Sequence, residues 1–168
     1  MPSLRLFTDK RFWENTRMRS IYHAACPRRV IQEVCMIEIK VSTSKREEFV
    51  DITDQIRRAC AENQWRDGIV FLHCAHTTAG LTVNEAADPS VCRDIVAHLA
   101  HHVPRMGAYE HAEGNSDAHI KASLMGCGQQ VGVAQGRLAL GTWQGIFFTE
   151  FDGPRQRRVW VQWLGLGT

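Results

Sequence analysis

The chain has 168 residues, 44% of them hydrophobic and 23% charged, and a formal net charge of +2. That length suits one domain with a sizeable core, and the apolar share excludes a wholly disordered chain. No run approaches the ~18 uninterrupted apolar residues of a membrane span, and no block repeats at a solenoid spacing, so a soluble cytoplasmic protein is expected.

The first thirty residues carry seven Lys/Arg against Asp9 and Glu14, whereas the remainder carries thirteen basic and sixteen acidic groups. Residues 1–32 therefore read as a basic N-terminal extension on a slightly acidic domain at 33–168. The extension lacks the apolar h-region of a secretory signal. Six cysteines (26, 35, 60, 74, 92 and 127) include no C-x-x-C pair, so zinc-ribbon and thioredoxin-like readings lack their spacing. Reduced thiols packing as small hydrophobes are the expectation.

Glu33–Val41 interleaves β-branched residues with charges and predicts a half-buried strand. Residues 46–63, with apolar positions at Phe49, Val50, Ile52, Ile56 and Ala59, suit a helix capped in part by Thr43 or Thr53. Ile69–Ala75 is a continuous apolar run, the mark of a central strand covered on both faces. His73, inside that run, reads as a core histidine.

Asp88-Pro89 predicts a helix start, with Asp as N-cap and Pro at the first helical position. Val91, Ile95 and Leu99 supply its buried stripe, and Pro104 ends it. Residues 105–117 read as a polar loop and Ala118–Met125 as a short helix capped by Ser116 or Asp117. Strands are then predicted near 129–134, 137–141, 142–151 and 156–164. Two main helices and a strand-rich second half argue an α+β fold with a largely antiparallel sheet.

Three stretches carry reactive side chains. His76–Glu85 places an imidazole, three hydroxyls, an amide and a carboxylate at the end of a buried strand, a position suited to a pocket. Tyr109–Lys121 holds two histidines, three carboxylates and a lysine, the groups that a divalent metal or an acid–base pair needs. Eight residues separate His111 from His119, so the loop must bend back for the two to meet. In Gly141–Arg158, Gln144 and Glu150 share one strand face, and Arg155, Arg157 and Arg158 follow a Gly-Pro turn. His98, His101 and His102 form a competing cluster on one helix face.

The segments H-T-T-A-G-L-T-V-N-E-A-A-D-P-S-V, H-A-E-G-N-S-D-A-H-I-K-A-S-L-M-G and G-T-W-Q-G-I-F-F-T-E-F-D-G-P-R together resemble the YjbQ-like family, also known as the secondary thiamine-phosphate synthase family. The resemblance covers residues 33–164. It implies an α+β pseudo-barrel in which a mixed, largely antiparallel sheet wraps around helices, assembled as a homotrimer. It also implies a pocket with a divalent metal, zinc or magnesium, on His76, His111 and His119. Catalytic roles would fall to His76, Glu85 and Lys121, and substrate contacts to Asn84, Gln144 and Arg158. The implied reaction joins a pyrimidine pyrophosphate to a thiazole phosphate and releases pyrophosphate, which needs cationic help at the leaving group. The chain has no G-x-x-x-x-G-K-[ST] phosphate loop.

The expected function is thus metal- or cation-assisted chemistry on a phosphorylated small molecule. A non-catalytic metabolite- or metal-binding module on the same histidine pocket is the alternative. A nucleic-acid face built from the extension and Arg155–Arg158 has no RNA-binding aromatic motif or zinc finger to accompany it.

Overall fold

The structure, a computed structural model, describes residues 31–166; Cys26 and all but the last two residues of the basic extension lie outside them. In chain order the elements are β1 (Ile31–Ser42), β2 (Glu48–Asp51), α1 (Thr53–Glu62), β3 (Gly68–Cys74), β4 (Ala79–Glu85) and α2 (Pro89–His102). They continue with α3 (Ser116–Met125), β5 (Gly128–Ala134), β6 (Arg137–Leu138), β7 (Gln144–Glu150) and β8 (Gln156–Leu166). One sheet runs β1-β8-β3-β5-β6 and the other β2-β7-β4. Every strand pairing among the described residues is antiparallel. The fold is α+β, and both sheets and α1 share one core that includes Ile56, Val70, Leu81, Phe148, Val161 and Trp163. Trp65 and Trp163 stack inside it with ring centroids 5.3 Å apart.

The single helix expected over 46–63 is instead a strand and a helix. Phe49 and Val50 pair with Thr149 and Phe148 of β7, so tertiary pairing overrides the local helical pattern. Helix α1 then begins with the Thr53 amide donating to Asp51 Oδ1 at 2.8 Å. Neither threonine serves as its cap: Ile52 holds that position without a side-chain bond, and Thr43 bonds to Glu150 and Arg155. The Asp88-Pro89 start is as expected, with Asp88 Oδ1 accepting from the Ser90 amide at 2.8 Å.

Strand β3 is central but not covered on both faces within one chain. Val70, Leu72 and Cys74 point to the core, whereas Ile69, Phe71 and His73 point outward. His73 is therefore not a core histidine; its ring packs on Trp160 at 5.6 Å between centroids. The stripe expected on α2 is only half-buried: no residue of that helix is fully buried, although Leu99 packs against the small cluster of Ala118, Ala122 and Phe151. No helix among the described residues is long and apolar enough to cross a membrane.

Candidate functional site

The site forms where β3, β7 and β8 end together. Alternation along β8 sends Arg157, Val159, Val161 and Trp163 to the interior and Arg158 and Trp160 to the outer face. Arg157 is only 8% exposed and its charge is met by Glu150, which is fully buried. Its Nε and Nη2 donate to the two carboxylate oxygens at 2.7 and 2.6 Å, and Nη2 also donates to Thr78 Oγ1 at 2.9 Å. Nη1 has no hydrogen-bond partner among the described residues. Glu150 also accepts from Thr43 Oγ1 and from the amides of Phe151 and Asp152, so this fork is rigidly seated.

His76 stands two residues past the end of β3, and its Nε2 accepts the backbone N–H of Arg158 at 3.0 Å. Burial, together with the positive charges of Arg157 and Arg158, holds its pKa below the ordinary value. Across from it, the loop before α3 does bend back. His111 meets His119 of the first α3 turn edge-to-face, with ring centroids 5.3 Å apart. Asn115 ties that helix start to the β7–β8 turn by donating from Nδ2 to Asp152 Oδ2 at 3.1 Å. Asp152 in turn pairs with Arg155 Nη2 at 2.7 Å. Asn115 Oδ1 is buried and has no partner among the described residues.

These groups line one open polar cleft of about 410 Å³, which contains His76, His111, His119, Arg155, Arg157 and Asn115. His111 and His119 also border a depression of about 500 Å³ with Tyr109 and Ile120 in its walls. The histidine pair thus separates a polar space from a more apolar one.

The other residues singled out from sequence lie elsewhere. Glu85 pairs with Gln144, and Asn84 with Gly145, at the end of the β4–β7 ladder opposite Ala79 and Glu150. Six residues of strand separate the two ends, roughly 20 Å at ~3.3 Å per residue. Gln144 closes its own turn by accepting from the Gly141 amide at 2.8 Å. Lys121 is fully buried, with Nζ 2.8 Å from Glu47 Oε1 and 3.0 Å from Asp117 Oδ2. The Arg158 side chain turns to the outer face, where its guanidinium lies 3.7 Å from Glu38. The cluster on α2 is real, with His98 and His102 centroids 4.3 Å apart, but it does not line the cleft. Of the other residues that build the site, Arg157 and Glu150 stand in the Gly141–Arg158 stretch marked by the sequence but without an assigned role, and Asp152 and Asn115 are not singled out by it. For Arg157 a signal existed: it has the parity of the apolar residues Val159, Val161 and Trp163.

Among the described residues no group of three His, Cys, Asp or Glu is arranged to hold a metal ion. The three imidazoles line one cleft, and Nε2 of His76 is already taken by the Arg158 amide.

A family model described as UPF0047 protein YjbQ-like matches residues 37–166. The chain belongs to the YjbQ-like UPF0047 family. A UPF0047 protein of Methanocaldococcus jannaschii is 52% identical over 130 residues, covering 77% of this chain and 94% of that one. The UPF0047 protein YugU of Bacillus subtilis is 43% identical, covering 76% and 97%. Among solved structures, an uncharacterised YjbQ/UPF0047 protein of Clostridium acetobutylicum superposes with a TM-score of 0.74 at 53% identity, covering 76% and 99%. A YbjQ-like protein of unknown function from Sulfolobus solfataricus gives 0.75 at 34%, covering 79% and 98%. The UPF0047 match contains every residue of the cleft and stops short of the basic extension.

Proposed function

We propose that this UPF0047 protein is an enzyme acting with cationic assistance on a phosphorylated small organic molecule, bound across the His111–His119 pair. The observation that carries the reading is the convergence of three imidazoles and Arg157 on one polar cleft beside a more apolar depression. Guanidinium and imidazole N–H groups suit phosphate oxygens, and the neighbouring depression suits the organic part of the same molecule. The thiamine-phosphate synthase reaction implied by resemblance falls within this class, since both of its substrates pair a phosphate with a heteroaromatic ring.

A metal fits these residues in part. His111 and His119, whose ring nitrogens make no bond to the backbone, would hold zinc rather than magnesium, which takes oxygen ligands, and such an ion would neutralise phosphate oxygens. The second reading, a binding module without turnover, is favoured by one feature: both arginines of the cleft already face a carboxylate, Arg157 on Glu150 and Arg155 on Asp152. That pairing lowers the net positive charge available to a departing pyrophosphate.

The test is calorimetric titration with a phosphate monoester, followed by an assay for its turnover. Saturable binding is expected, weakened at least tenfold (about 1.4 kcal/mol) in His119→Ala. Equal affinity in both proteins would sink the proposal, and binding without turnover of any phosphorylated substrate would select the second reading.

Assembly as a homotrimer is also proposed. Met36, Ile69, Phe71 and Trp160 leave large apolar side chains on the outer face of the five-stranded sheet, a surface that copies of the chain would cover. Light scattering is expected to give three times the 19.0 kDa chain mass; a monomeric mass would refute it.

A further inference from the structure

A backbone amide can only donate, so His76 Nε2, 3.0 Å from the Arg158 nitrogen, must be the acceptor. A neutral imidazole with Nε2 unprotonated carries its proton on Nδ1. The reason for the contact lies in the sheet. Pairing between β3 and β8 ends at Cys74 and Val159, so on the β3 side the next β8 amide, that of Arg158, has no strand residue opposite it, although β1 still pairs there through Lys40. The imidazole takes that place and satisfies the amide. Giving the Nε2 lone pair to a metal, or to a proton, would strip Arg158 of this partner.

Nδ1 of His76 has no hydrogen-bond partner among the described residues and is not one of the buried atoms lacking one. It is therefore an accessible N–H donor on a residue that lines the cleft and also borders a smaller depression with Glu38 and Lys40. Arg157, which lines the same two spaces, supplies a second: its Nε and Nη2 are spent on Glu150 and Thr78, while Nη1 has no partner among the described residues. His111 and His119 differ in kind: their ring nitrogens make no hydrogen bond among the described residues, the two rings meet edge-to-face, and His111 Nε2 lies 3.8 Å from Glu113.

We propose that His76 is a fixed Nδ1–H donor that, with Nη1 of Arg157, takes an oxyanion of the ligand, and that it is neither a metal ligand nor a base. The oxyanion named here, a phosphate oxygen, rests on the reading given under Proposed function. Metal and proton-transfer chemistry are left to His111 and His119.

Long-range proton–nitrogen spectra of the histidine-labelled full chain test the assignment, with His76 identified by the signal lost in His76→Gln. The free protein is expected to show His76 as the neutral Nδ1–H tautomer. Zinc alone is expected to shift His111 and His119 and leave His76 unmoved, whereas inorganic phosphate alone is expected to shift His76. His76→Gln is expected to weaken phosphate at least tenfold while zinc affinity stays within twofold. If that variant fails to fold, the tautomer and the zinc response of the wild type still decide the matter. An Nε2–H tautomer, or a His76 signal that follows zinc, would overturn the assignment. Phosphate that shifts His119 but not His76 overturns this proposal alone; phosphate that shifts neither overturns the phosphate reading and this proposal with it.

Discussion

Glu150→Ala is expected to lower the free energy of unfolding by about 3–5 kcal/mol, the cost of leaving a buried charge without its partner. The carboxylate is fully buried and accepts five hydrogen bonds, two from Arg157, one from Thr43 and two from backbone amides. Removing it strands a guanidinium with 8% exposure and frees the turn that carries Asp152. Against a total stability of about 5–15 kcal/mol, that is a large fraction. Replacing both partners, as in Glu150→Leu with Arg157→Met, is expected to recover much of the loss, because no uncompensated charge remains. Urea unfolding of the three proteins measures it. A loss below about 1 kcal/mol in the single variant would show that the pair does not hold this end of the sheet.

Lys121→Ala is the second large effect, and it separates support from chemistry. The ammonium bridges Glu47 and Asp117, and Arg46 binds the same Asp117 at 3.0 Å. Burial alone would raise the Asp117 pKa, but hydrogen bonds from Arg46 and Lys121 outweigh it and hold the carboxyl below its ordinary 3.8. Because Arg46 stays in place, the expected loss is about 3 kcal/mol, the lower end for a broken buried pair. The folded variant is expected to keep its phosphate-monoester affinity within about twofold, as Lys121 does not line the cleft. Wild-type stability with lost binding would return the lysine to the site. The sign of the pH dependence follows from the depressed Asp117 pKa. This carboxylate contributes its stability above pH 3.8, and the contribution falls away as pH drops through the lower folded value.

Much of the fold is legible in local pattern. Strand β1 follows from its alternation and α2 from Asp88-Pro89, since both signals act within a few residues. The reading of 46–63 fails because β7 recruits Phe49 and Val50 from about a hundred residues away, which no window around them reveals. Strand β3 misleads for another reason: a continuous apolar run usually means burial on both faces, yet one face here carries Ile69 and Phe71 to the surface.

The site divides along the same line. His76, His111 and His119 are marked by their residue type and motif, and they do line a common cleft. Asn84 and Glu85 share a motif with His76, and Gln144 shares one with Glu150 and Asp152, but all three fall at the far end of the β4–β7 pair, where nearness in sequence becomes distance in space. The resemblance implies a substrate contact at Arg158, but alternation along β8 turns Arg157 inward and Arg158 to the outer face. Lys121, in the same motif as His111 and His119, is buried against Glu47 and Asp117 and does not line the cleft.

The most direct test follows the side-chain signals of the seven histidines between residues 31 and 166 while a phosphate monoester is added. Shifts of His76, His111 and His119 that saturate at one shared dissociation constant, with His73, His98, His101 and His102 unmoved, are the predicted result. Unchanged spectra at saturating ester, or shifts centred on the α2 histidines, would contradict it.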